Sequence, residues 1–133
     1  MKSITLTDGS MSLTIAETEN YFEVSGGGQS FWPFTENHAI LLLLCLDKEF
    51  PKGATLGYAE NSMIHLGSVS PTSEVLFLHN GSSSFIVDRL ENKHRISIAG
   101  SKKTETFLLG SKEITALTNF CKDALQDWPI LED

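Results

Sequence analysis

The sequence predicts an α+β fold of two tandem ββββα units, their antiparallel sheets each covered by one helix, with a pseudo-twofold relation between the units. Three observations predict it: an internal repeat, a matched pair of hairpin turns, and a change from strand to helix periodicity at the end of each repeat. Residues 3–20 fall without gaps on residues 75–92, with six identities in eighteen positions. A drift of two residues then sets Phe22, Val24 and Gly26 against Ile96, Ile98 and Gly100. A further drift of two sets Phe31, Leu41, Cys45 and Asp47 against Phe107, Leu117, Cys121 and Asp123. Self-similarity on this scale is the mark of a duplicated supersecondary unit.

Each unit opens with a hairpin. Asp8-Gly9 and Asn80-Gly81 supply the positive φ of a tight turn, and β-forming residues flank them. Ile4, Leu6, Leu13 and Ile15 alternate with threonine and serine, as a half-buried antiparallel pair requires. Leu76, Leu78, Phe85 and Val87 hold the same places in the second unit. A third strand follows a Glu-Asn turn, over 21–25 and 94–99, and a fourth covers 29–34 and 104–109. The period then turns helical. Ser111 is the expected N-cap and Glu113 favours the first turn. Ile114, Leu117, Cys121, Leu125 and Trp128 form one stripe, widened by Phe120 and Ala124. Thr35 stands where Ser111 stands, and Glu36 to about Glu49 reads as the matching helix, stopped before Pro51 and Gly53. Its run from Ala39 to Leu46 also fits a buried strand; repeat position and the helix propensity of leucine favour the helix.

The 133 residues are read as a single domain over 1–133. Unit one covers 3–49, a link with a hairpin around Glu60-Asn61 covers 50–74, unit two covers 75–128, and a short acidic-apolar tail covers 129–133. An apolar content of 41% is ordinary for a folded chain and argues against disorder. The longest apolar run is eight residues, too short to span a bilayer, so no membrane partner is expected. No apolar stretch follows Lys2, which predicts an intracellular protein without a signal peptide. Cys45 and Cys121 then read as two buried thiols, with a disulfide between them as the alternative.

The net charge of −7 hides an asymmetry. Residues 3–49 carry seven acids and one base, whereas residues 75–125 carry five acids and seven bases. Arg89, Lys93, Arg95, Lys102 and Lys103 fall within fifteen residues whose only acid is Glu91. One face of the second unit is therefore expected to be basic on an otherwise acidic protein.

A strand Arg95-Ile96-Ser97-Ile98 is followed by Phe107-Leu108-Leu109-Gly110-Ser111-Lys112-Glu113-Ile114-Thr115-Ala116-Leu117, a strand closing into a small-residue cap, a glutamate and an amphipathic helix. Together with the ββββα order over about 100 residues, this resembles the Whirly and Pur-repeat proteins and the positive-cofactor class of transcriptional coactivators. The resemblance implies binding of single-stranded DNA or RNA across exposed sheet surfaces. The residues expected to carry it are Arg89, Lys93, Arg95, Lys102 and Lys103 on phosphates, with Tyr21 and Trp32 stacking on bases. Phe31, Phe34, Phe85 and Phe107 are further aromatic candidates, although the shared repeat position of Phe31 and Phe107 favours the core.

A protein-interaction module, such as an adaptor, inhibitor or chaperone, is the alternative. Small acidic α+β chains suit that role, and Trp128, Ile130 and Leu131 in the tail could dock on a partner. Catalysis is not expected. His38, His65, His79 and His94 lie 27, 14 and 15 residues apart, without a metal-ligand pair. Gly26-Gly27-Gly28 does not open a helix, and Ser82-Ser83-Ser84 lacks a nucleophile-elbow context. No cofactor and no metal are expected. The repeat predicts either a monomer with internal pseudo-dimer symmetry or a homo-oligomer.

Overall fold

In a computed structural model of the protein, residues 2–18, 21–47, 67–69, 75–81 and 83–125 are described. The first unit runs β1 (Ser3–Asp8), β2 (Met11–Glu17), β3 (Phe22–Gly26), β4 (Gln29–Phe34) and α1 (Glu36–Leu46). The second runs β5 (Gly67–Val69), β6 (Val75–Asn80), β7 (Ser83–Leu90), β8 (Lys93–Ala99), β9 (Thr104–Leu109) and α2 (Ser111–Leu125). β1 to β4 form one antiparallel sheet in chain order and β5 to β9 the other. The expected α+β fold of two tandem ββββα units is the fold observed. In the link, residues 67–69 add a short edge strand beside β6; the rest of the expected hairpin lies outside the described residues.

Each hairpin turn uses glycine for the reason the sequence implies. Gly9 and Gly81 sit at φ +63° and +62°, where a Cβ is strained. The leucine-rich segment is the helix α1. Seven of its eleven residues are buried, on every side, so an amphipathic stripe is absent and the helix reads as central. α2 keeps the amphipathic pattern, burying Ile114, Leu117, Cys121 and Ala124.

Two local expectations are corrected. The strand ladders set Val24 opposite Ile15 and Ile96 opposite Val87, so the shift of 72 persists through the third strand. Val24 therefore corresponds to Ile96, not to Ile98. The whole four-residue offset lies in the next connection: two residues separate the paired Gly26 and Gln29, whereas six separate the equivalent pair Ile98 and Glu105. A two-residue slip keeps every side chain on its own face, which is why apolar pattern alone could not detect it. The second correction concerns the cap. Gly110, not Ser111, accepts the first helical hydrogen bond of α2, from Ile114 N–H at 3.1 Å. Glycine serves there because it tolerates the non-helical cap backbone.

The units interlock. α1 lies against β5 and β6 of the second sheet, whereas α2 reaches β1 of the first, and the two helices pack on each other. The ring of Phe120 on α2 meets Phe22 of β3 edge-on at 5.6 Å. β4 crosses over β6, β7 and β8, and β9 approaches β1 and β2. Each sheet is thus covered by a helix, and the covering helix belongs chiefly to the other unit. One core results, running from Leu6 and Leu13 through Phe31 and Phe34 to Phe85, Phe107 and Leu117. Close approach at the seam requires Gly26: a Cβ there would lie 2.6 Å from the Phe107 ring and 2.8 Å from the Ser12 carbonyl oxygen.

Candidate functional site

Strand alternation sends one set of side chains inward and the other onto the outer face of each sheet. The ladders order the outer face of the second sheet into rows. One row runs Val75, Asp88, Arg95, Leu108; the next runs Phe77, Ile86, Ser97, Thr106. Leu90 and Lys93 form a pair at one end. Val75, Phe77, Leu90 and Leu108 are all exposed large apolar residues. The Phe77 ring stands 6.2 Å from His79 on the same strand.

The equivalent rows of the first sheet have another chemistry. Thr5, Thr14, Ser25 and Ser30 form a row of hydroxyls across all four strands, with the Thr5 and Thr14 hydroxyls 3.2 Å apart. A neighbouring row holds Ser3, Ala16 and Glu23. At β4 a bulge sets both Trp32 and Pro33 opposite Glu23. Tyr21 and Trp32 form an edge-on pair there, ring centroids 6.4 Å apart.

The expected basic residues are not gathered into one free patch. Asp88 holds Arg95 in a bidentate pair, with Nε donating to Oδ1 at 3.0 Å and Nη2 to Oδ2. Asp88 raises the Arg95 pKa through that hydrogen bond and by its charge. Lys103 pairs with Glu105 at 2.7 Å. Arg89 has the parity of Phe85 and Val87 and faces His94 across the ladder, so it leans to the other side of the sheet from Arg95. Lys102 and Lys103 lie beyond the far end of β8, about 20 Å from Lys93 by the rise of an extended strand. Arg89 and Lys93 do come together, with Leu90, Glu91, Asn92 and Leu108, around an open cavity of about 420 Å³. Tyr21 and Trp32 are exposed as expected, but they belong to the other sheet. Phe31, Phe34, Phe85 and Phe107 are buried in the core. Trp128, Ile130 and Leu131 lie outside the described residues.

His38 is the one buried polar residue of the described core. Its Nδ1 accepts from the Thr35 backbone N–H at 2.9 Å, closing a capping box at the start of α1. The proton then sits on Nε2, which is buried near the His79 backbone without a well-formed hydrogen bond to a described residue. Burial pushes the imidazole pKa down to about 4; the His79 backbone opposes this, and the His79 charge adds to it. His94 is also lowered, by burial first and by Arg89 second. Cys45 and Cys121 are buried thiols not joined in a disulfide, and burial pushes them up to about 11 and about 12. Both are therefore poor nucleophiles at neutral pH. Among the described residues no three His, Cys, Asp or Glu side chains converge on a metal site, and no helix is long and apolar enough to cross a membrane.

The exposed apolar residues of the second sheet escaped the sequence reading, although a signal was present. Leu76 and Leu78 are inward, so Val75 and Phe77 in the same run must face out. No family model and no curated protein sequence matches the chain.

Proposed function

We propose that the protein is a non-enzymatic interaction module, whose second sheet docks an amphipathic segment of a protein partner on its outer face. The observation that carries this reading is the contrast between two copies of one unit. Solvent alone would favour hydroxyls on both outer faces, and the first sheet has them. The second sheet keeps hydroxyls only at Ser97 and Thr106 of the matching row. It adds the exposed aliphatic and phenyl side chains Val75, Phe77, Leu90 and Leu108, where the described residues of the first sheet expose only Tyr21 and Trp32. Exposed apolar side chains grouped on one face, here around the Asp88–Arg95 pair, mark interaction sites. Four strands of the face measure about 15–20 Å across and about 20 Å along, roughly half the area one partner contributes to a standard interface. That footprint suits a single helix. Lys93 beside Leu90 on this face, with Arg89 at the open cavity they share with Leu108, favours acidic residues flanking its apolar stripe.

The test is selection from displayed peptides of about 16 residues, enough for about 24 Å of helix. Enriched amphipathic sequences with acidic flanks, whose binding is lost in Phe77→Asp and Leu108→Asp proteins of unchanged Tm, are expected. Peptides that bind those variants equally, or no enrichment at all, would remove the reading. A fluorescent single strand of about 30 nucleotides is assayed in parallel over a salt series. Salt-sensitive binding abolished by Arg89→Ala, Lys93→Ala and Lys102→Ala would replace a protein partner by nucleic acid.

A further inference from the structure

The outer face of the first sheet carries a cluster that the docking face does not use. Glu23 on β3 has Ala16 opposite it on β2, and the bulge sets Trp32 opposite it on β4. Tyr21 and Trp32 stand at 81° to each other and are 42% and 53% exposed. Glu23 is exposed and forms no ion pair with a described residue.

The duplication supplies an internal control. By ladder register Arg95 occupies the place of Glu23, Asp88 that of Ala16, Lys93 that of Tyr21 and Leu108 that of Trp32. The second unit therefore contains its own cation, and Asp88 holds it bidentate. In the first unit the carboxylate faces a methyl group, and two aromatic rings flank it. The same scaffold position is filled internally in one copy and open in the other.

We propose that Tyr21, Glu23 and Trp32 form a receptor site for one arginine side chain of a protein partner. A guanidinium is planar, stacks on an indole face, and presents a fork of donors that matches a carboxylate. The surroundings have the right sign. Residues 17–23 carry three acids and no base, and the other outward residues of this sheet's ladders are serine, threonine and alanine. A phosphate-bearing ligand stacked on the same rings meets Glu23 with like charge. The site lies on a different sheet from the docking face, and its test is independent of that reading.

Trp128→Phe leaves Trp32 as the sole tryptophan of the chain. In this background, acetyl-Gly-Arg-Gly-amide is titrated at constant ionic strength, with acetyl-Gly-Gln-Gly-amide as the neutral control. The expected result is a saturable change of Trp32 emission for the arginine peptide alone, at about 1–10 mM. Glu23→Gln and Tyr21→Ala each weaken it by about fivefold or more. The pair Ala16→Asp with Glu23→Arg rebuilds the second unit's ion pair and abolishes binding while Tm is kept. A non-saturable change shared by both peptides, or arginine binding unaltered by Glu23→Gln, overturns the proposal.

Discussion

Phe31 and His38 meet where the two units join. The Phe31 ring stands 5.1 Å from His38 and 6.0 Å from Phe85 of the second unit. The His38 Nε2 is buried beside the His79 backbone without a well-formed hydrogen bond to a described residue, and a second proton on the ring would meet the Thr35 N–H at Nδ1 and add a buried charge. Its folded pKa, about 4, lies below the ordinary 6.5. As pH falls below 6.5 the unfolded chain takes up a proton that the folded chain refuses. This group's contribution is therefore complete above pH 6.5, declines between 6.5 and about 4, and is flat below. The loss amounts to at most about 3 kcal/mol. Urea unfolding across this window, compared with His38→Gln, checks it: the difference between the two proteins should narrow as pH falls. A constant difference would place the pH dependence on other groups.

At the scale of elements, the two hairpin turns and the two helix starts do the same job by different means. Gly9 and Gly81 share a positive φ, and no neighbouring atom lies within 4 Å of the Cβ that either would gain. The cost of Gly81→Ala is then conformational alone, about 1 kcal/mol. That value is read as a lowered urea midpoint with an unchanged slope. A changed slope would show that the turn also holds tertiary structure. The helix starts differ more. Thr35 caps α1 with its side chain, whereas α2 begins at Gly110 with no side-chain oxygen to offer. The nearly all-apolar α1 is held by burial on every side, and α2 by one stripe.

At the scale of the molecule, the interlock decides stability. Separating the units would uncover both sheets at once, because α1 rests on the second sheet and α2 on the first. Side-chain bonds also cross the seam: Asn80 Nδ2 donates to the Pro33 carbonyl at 2.6 Å, and the Leu108 N–H donates to Asp8 Oδ2 at 2.9 Å. Neither 3–49 nor 75–128 should fold alone, whereas the whole chain should unfold in one cooperative step. Circular dichroism and tryptophan fluorescence of the intact protein should give coincident transitions, and each half alone should give none. A half that unfolds cooperatively would mean that its own helix can cover its own sheet. The two outer faces remain solvent-side on this frame, one hydroxyl-rich with Glu23, Tyr21 and Trp32, the other apolar around an internal ion pair.

The pattern of residues was enough to determine the two ββββα units and their tight turns; it favoured the helix over a buried strand for Ala39–Leu46 and the core for Phe31 and Phe107, and the structure decided both. Those features depend on alternation, turn chemistry and propensity, which act over a few residues. The exposure of Tyr21 and Trp32 was legible for the same reason. Only the tertiary structure decided which helix covers which sheet, because both helices present enough apolar surface for either. It also decided that Asp88 and Glu105 occupy two of the five bases expected to bind phosphate, and that the aromatic pair stands on the opposite sheet from them. Charge counted along a chain cannot report such pairing; cross-strand register sets it, and register depends on the whole ladder.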